Sequence, residues 1–205
     1  MPLQPGILPS LVSELSASDV IVVSDGAVIS SWTQGLVRVT EFPGFLDHSP
    51  LGSMGVGMPL ALGAATAAQD IAAATGARPR QVVLITGDGA AGYFISEWGT
   101  AAQFGLGLTV LISNDSGWGT ERLKQIEMLG RPINTDFSEI RYSAIAEGFG
   151  CDGVRPSSRA EFAETLVQAL VDPSPTVIDV ITDGVGPRPE LPRFFPPGRH
   201  GPVDN

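Results

Sequence analysis

Four short apolar runs, each rich in Val, Ile or Leu, recur along the 205-residue chain at 20–24, 81–86, 109–113 and 176–182. None keeps the strict apolar–polar alternation of a half-solvated strand. Each therefore reads as a strand buried on both faces, as in a parallel sheet. Between and around them, 7–15, 57–75, 95–104, 142–149 and 159–170 have helical length and periodicity. Strand and helix in alternation predict an α/β fold, a doubly wound and mainly parallel sheet with helices on both faces. Ligands in such sheets bind beyond the carboxyl ends of the strands. Three polar, glycine-bearing turns fall at those ends: Asp25-Gly26, Gly87-Asp88-Gly89 and Asn114-Asp115. A binding site is expected where they meet.

Asp88 and Asp115 stand one helix and one strand apart, and no lysine or arginine occurs from 88 to 119. A strand-end carboxylate and a second oxygen-rich turn, with no basic residue between them, suit a hard divalent cation better than a bare phosphate. Taken singly, the same aspartates are equally at home capping helices or closing turns. Gly26-Ala27 precedes a helix-like stretch whose first N–H groups can receive a phosphate.

Charge narrows the partners. With 22 acidic against 12 basic residues the net charge is −10, which excludes a nucleic-acid reader with its basic face. A diphosphate bound by so acidic a chain needs a metal to offset the repulsion. The 43% hydrophobic content supports one well-cored α/β domain over 1–183. The lone Cys151 rules out an intrachain disulfide and fits a reducing compartment. The first five residues lack the basic start of a secretory signal, and the longest apolar run, 58–68, is too short to cross a bilayer. A cytoplasmic protein is expected, with no membrane association. From 184 to 205, six prolines with Arg188, Arg193, Arg199 and Phe194-Phe195 preclude helix or central strand. That stretch is expected to be a tail, or an arm laying its two phenylalanines on a partner.

The motifs in order carry a family resemblance. Gly87-Asp88-Gly89 followed by Asn114-Asp115 resembles the thiamine-diphosphate motif, a GDG turn and then a paired-asparagine turn one helix and one strand later. Leu51-Gly52-Ser53-Met54-Gly55-Val56-Gly57 resembles the segment that holds the aminopyrimidine ring in those enzymes, and Ser24-Asp25-Gly26-Ala27 their first diphosphate turn. The match runs from about Val20 to Thr182 and is most similar to the acetolactate synthase, oxalyl-CoA decarboxylase and benzaldehyde lyase types. Ser116-Gly117-Trp118-Gly119 and Gly148-Phe149-Gly150-Cys151-Asp152-Gly153 resemble the lyase most.

The resemblance implies thiamine diphosphate and Mg2+ as cofactors, with Asp88, Asp115 and the Gly117 carbonyl as metal ligands. It implies that Gly26, Ala27, Val28, Gly89, Ala90, Trp118 and Gly119 bind the cofactor, and that Gly52, Ser53 and Met54 belong to the segment that holds its pyrimidine. The Gly52 carbonyl would accept from the ring's amino group, and Met54 would wedge between the two rings. Asp115 departs from the family's commoner asparagine, and its extra charge is expected to tighten the metal while repelling diphosphate. His48, four residues before Gly52, corresponds to a histidine of the lyase type and is a candidate for proton transfer or substrate contact; an idle loop histidine fits as well. Glu97 reads as a structural hydrogen-bonding residue, Glu121 as a residue of the pocket rim, and Trp32 and Trp118 as pocket wall or core.

The resemblance covers only the diphosphate-binding domain of that family. The glutamate that activates the cofactor belongs to a pyrimidine-binding domain, so the resemblance implies a second, pyrimidine-binding subunit, in a heterotetramer or larger complex. The expected whole is a lyase, carboligase or 2-keto acid decarboxylase acting on a small 2-keto acid or aldehyde, split as in the sulfopyruvate type of decarboxylase. A non-catalytic or regulatory cofactor-binding subunit is the competing reading. A flavin- or nucleotide-binding domain lacks support, because no GxGxxG follows the first strand.

Overall fold

In the computed structural model, residues 2–15 and 20–184 are described. Six parallel strands form one sheet: β1 (Ile21–Ser24), β2 (Phe45–Asp47), β3 (Val82–Gly87), β4 (Leu108–Asn114), β5 (Asp152–Val154) and β6 (Thr176–Ile181), in the order β2-β1-β3-β4-β6-β5. Eight helices among the described residues accompany them: α1 (Ile7–Leu15), α2 (Val28–Leu36), α3 (Gly57–Thr75), α4 (Asp88–Ala91), α5 (Glu97–Gln103), α6 (Gly119–Leu129), α7 (Tyr142–Gly148) and α8 (Arg159–Val171).

The central strands are apolar throughout because successive side chains enter two different cores. Val23, Val82, Leu84, Val110 and Ile112 face α3, α5 and α7, where they meet Ala61, Ala65, Trp98 and Ala146. Their neighbours Val22, Val83, Ile85, Leu111 and Ile178 face α1, α2 and α8, where they meet Leu8, Ile29, Phe162 and Leu166. Each such side chain, fully withdrawn from water, contributes about 1.5–3 kcal/mol. A one-residue slip would exchange the two sets, so the pairing Val22↔Val83 and Leu84↔Val110 is firmly specified.

The four expected strands and five expected helices are all present within one or two residues of their ends. Helix α2 is the helix-like stretch after Gly26-Ala27. Strands β2 and β5 were not expected: each has three residues, lies at a sheet edge, and is too short to leave a period in the sequence. Helix α6 also escaped expectation. It buries only Arg122 and leaves Met128 80% exposed, so it has no continuous core-facing stripe. The proline-rich stretch expected as a tail or arm lies, from 185 onward, outside the described residues.

The chain leaves β1 toward β2 on one side and returns as β3 on the other, so the sheet order reverses between β1 and β3. A crevice opens at that reversal, beyond the carboxyl ends of the two strands. The Asp25-Gly26 and Gly87-Asp88 turns bound it, so close together that a Cβ on Gly26 would lie 3.2 Å from the Gly87 nitrogen.

Candidate functional site

The first turn is built around Asp25, which is 1% exposed. Its carboxylate accepts the backbone N–H groups of Gly26 at 2.6 Å, Gly55 at 3.2 Å and Gly57 at 2.8 Å. Three such donors make burial of the charge tolerable. They also draw the 51–57 loop over the end of β1. Close approach explains the glycines there: a Cβ at Gly55, whose φ is +92°, would lie 2.7 Å from Tyr93, and one at Gly57 would lie 2.5 Å from the Asp25 Cβ. The loop so held places Met54 at the crevice.

The second and third turns are joined to each other. Asp88, 3% exposed, accepts the Gly89 N–H on Oδ1 at 2.9 Å and the Gly117 N–H on Oδ2 at 3.0 Å. The Tyr142 hydroxyl donates to the Asp88 carbonyl at 2.8 Å. Beyond β4, the Asn114 side chain shapes the turn. Its Oδ1 accepts the Ser116 N–H at 3.2 Å, and its Nδ2 donates to Asp179 at 2.9 Å and to the Ile140 carbonyl at 3.1 Å. Asp179 has no exposure, and Arg155 pairs with it at 2.6 Å. This buried network fixes the turn from which Asp115 projects.

The stretch between 88 and 119 lacks basic residues, but the fold supplies one from outside it. Arg122, on the first turn of α6, donates to the Asp115 carboxylate at 3.2 Å, to the Asp115 and Ser116 carbonyls at 3.2 Å each, and to Asp136 at 2.8 Å. The absence of basic residues from 88 to 119 therefore does not leave the aspartates without a cation, because Arg122 comes from just beyond that stretch. Burial, and then the nearby Asp115 charge, push the Asp88 carboxyl up to about 7. Burial also raises Asp115, and Arg122 works against that rise. Two acidic groups held this close inside a protein destabilise each other when both are ionised, and a divalent cation between them relieves the conflict.

The crevice is a small, solvent-open cleft of about 50 Å3, lined by the three turns and the start of α2. Of the residues expected from sequence, Gly26, Ala27, Val28, Met54, Asp88, Gly89, Ala90, Asp115, Gly117, Trp118 and Gly119 all line it, and Glu121 joins them. His48, Gly52 and Ser53 do not line it. They occupy the loop after β2, where the His48 carbonyl accepts the Gly52 N–H at 2.9 Å, and Gly52 and Ser53 are exposed. Trp118 covers Gly89, such that a Cβ there would lie 2.6 Å from the indole, and stands edge-on to Tyr93 and Phe137. Trp32 packs against the α1–α2–α8 core instead, and Glu97 accepts the Thr100 hydroxyl at 2.8 Å, a structural bond. Sequence reasoning missed Pro5, Ile29, Ser113 and Thr120 in the lining, and it missed the Asp25 clamp and Arg122 altogether.

The donor set fits a metal-bound diphosphate. Two carboxylates reach the lining, and in the same lining the nine-residue α2 begins at Val28, after Ala27, with no side chain capping its first N–H groups. No described helix is long and apolar enough to cross a membrane.

Comparison with known proteins agrees with this geometry. Residues 25–180 match the family model described as thiamine pyrophosphate enzyme, C-terminal TPP binding domain. The chain is 35% identical over 176 residues to the acetolactate synthase large subunit of Parasynechococcus marenigrum, covering 80% of this chain and 25% of that protein. It is 30% identical over 191 residues to the benzoylformate decarboxylase of Pseudomonas aeruginosa, covering 91% and 34%. The solved thiamine diphosphate-dependent 4-hydroxybenzoylformate decarboxylase of Rhodococcus jostii superposes with a TM-score of 0.78 at 28% identity, covering 89% and 33%. The chain thus spans a quarter to a third of the length of these relatives. Fold, cleft and sequence converge, and the chain belongs to the family of thiamine pyrophosphate enzymes as their C-terminal cofactor-binding domain.

Proposed function

We propose that this chain is the diphosphate-binding subunit of a split, thiamine-diphosphate- and Mg2+-dependent lyase, carboligase or 2-keto acid decarboxylase of acetolactate synthase-like type. A pyrimidine-binding partner subunit completes it, in a heterotetramer or larger complex, and its substrate is a small 2-keto acid or aldehyde. The observation that carries the reading is that Asp88 and Asp115 share one cleft with the uncapped start of α2.

In this reading Asp88, Asp115 and the Gly117 carbonyl hold Mg2+, which takes oxygen ligands and readily shares them with phosphates. Backbone N–H groups at Ala27 and Val28 would receive one phosphate at the α2 terminus and that at Ala90 the other, while Gly26 and Gly89, whose own N–H groups are taken by Asp25 and Asp88, line the site without donating to it. Met54, at the rim, would pack against the bound cofactor, with Gly52 and Ser53 following on the same loop toward its pyrimidine end. Trp118 and Gly119, beside Gly89 and Asp115, would help keep water from the reacting carbon. His48 serves as a proton donor or acceptor on the partner-facing rim. Thiamine diphosphate, when bound, supplies the carbanion chemistry that cleaves or forms the C–C bond.

Calorimetry of the chain with thiamine diphosphate, with and without Mg2+, tests the reading. Weak binding that requires Mg2+ is expected, and turnover only after a pyrimidine-binding partner is added. Tight binding that ignores Mg2+, or activity in the mixture that survives Asp88→Ala, refutes it.

A further inference from the structure

Arg122 is 7% exposed, and its guanidinium is committed on three sides: to Asp136, to the Asp115 carboxylate, and to the carbonyls of Asp115 and Ser116. Asp115 lines the cleft and Arg122 does not, so the cation approaches the carboxylate from behind. The packing around it is close. A Cβ on either Gly117 or Gly184 would collide with the guanidinium. These features describe a built feature of the cleft wall, not a stray surface pair.

We infer that Arg122 is the charge-balancing residue of the Asp88–Asp115 pair. Two carboxylates at one wall attract a divalent cation, but they also repel the diphosphate that the cation must bring into contact with them. Arg122 cancels one of the two charges from the far side. The wall formed by Asp88 and Asp115 then presents less negative charge to a metal-bound diphosphate than the two carboxylates alone would, even though Arg122 shares its charge with Asp136. The inference rests on the proposed function for the identity of that ligand, but the charge relation belongs to the chain itself and is measurable without it.

A simple tether would need the fork's bonds to the Asp115 and Ser116 carbonyls and no charge. The two roles separate in a set of variants: Arg122→Gln removes the charge, Arg122→Lys keeps it with fewer donors, and each is made with and without Asp115→Asn. Thermal unfolding of the cofactor-free chain is the primary readout. Adding Asp115→Asn should raise the melting temperature of Arg122→Gln by about 2–4 °C more than it raises that of Arg122→Lys. Equal effects in the two backgrounds overturn the inference. If Arg122→Gln does not fold, the double variant with Asp115→Asn must fold, and its failure overturns the inference equally. A second readout is Mg2+-dependent uptake of thiamine diphosphate. It should weaken on the order of tenfold in Arg122→Gln, recover with Asp115→Asn, and stay near wild type in Arg122→Lys. Wild-type chain that takes up no cofactor would defeat the functional reading and leave the charge relation to be decided by the melting data alone.

Discussion

The Asp25 carboxylate accepts the Gly57 N–H at 2.8 Å across 32 positions of sequence, and the same carboxylate holds Gly26 and Gly55. One buried side chain therefore sets the distance between the Asp25-Gly26 turn and the loop that carries Met54. Asp25→Ala strands three backbone donors in a site with almost no solvent. Each donor left unsatisfied costs about 1–3 kcal/mol, so a loss of at least 3 kcal/mol in unfolding free energy is expected from urea titration. Asp25→Asn keeps an acceptor oxygen and should lose less. Equal losses in the two variants would deny the clamp.

Gly89 has no room for a side chain, because Trp118 lies over it. Gly89→Ala puts a methyl group 2.6 Å from the indole, and the ring must move away from the cleft. The expected result is a changed tryptophan emission spectrum in the free protein and loss of Mg2+-dependent thiamine diphosphate binding by tenfold or more, on the order of 1.4 kcal/mol. An unchanged spectrum together with unchanged affinity would show that Trp118 is not the wall described.

The central sheet and the three turns were legible in the sequence because their signals are local. Runs such as Val82–Gly87 are continuously apolar, and Asp25-Gly26, Gly87-Asp88-Gly89 and Asn114-Asp115 sit directly at their ends. Residues that act across the fold left no such trace. Arg122 reaches Asp115 from seven positions away, within a charged helix where an arginine looks like one more solvent-facing residue. Asp25 reads as turn chemistry until Gly55 and Gly57 are folded onto it. The edge strands β2 and β5 are too short to announce themselves. The 48–53 loop shows the converse limit: resemblance assigns it to a site whose cleft, in this chain, it does not line.

The Arg155–Asp179 pair supports the site from one layer behind. Asp179 holds Asn114, which bonds the Ser116 N–H, and it also accepts the N–H of Tyr142, whose hydroxyl donates to the Asp88 carbonyl. Arg155→Met leaves the Asp179 charge fully buried with no cation beside it. A loss of about 3–5 kcal/mol is expected by chemical denaturation. Adding Asp179→Asn should restore part of that loss, because the unbalanced charge is removed. A double variant less stable than the single one would mean that the hydrogen bonds of Asp179, and not its charge, dominate.

The raised Asp88 carboxyl gives the cofactor-free chain a definite pH dependence. An unfolded aspartate loses its proton near 3.8, whereas in the folded protein Asp88 keeps it up to about 7. Across that window the folded state binds more protons than the unfolded state, so stability falls as pH rises and levels off above about 7. Asp115 is raised as well and adds to the same slope. Melting temperature without Mg2+ is therefore expected to drop between pH 5 and pH 8, and Asp88→Asn should flatten the drop. Mg2+ together with thiamine diphosphate should flatten it too, because a cation binds the ionised carboxylates in place of protons. A wild-type profile that matches Asp88→Asn across this range would mean that burial and the Asp115 charge do not set the Asp88 proton.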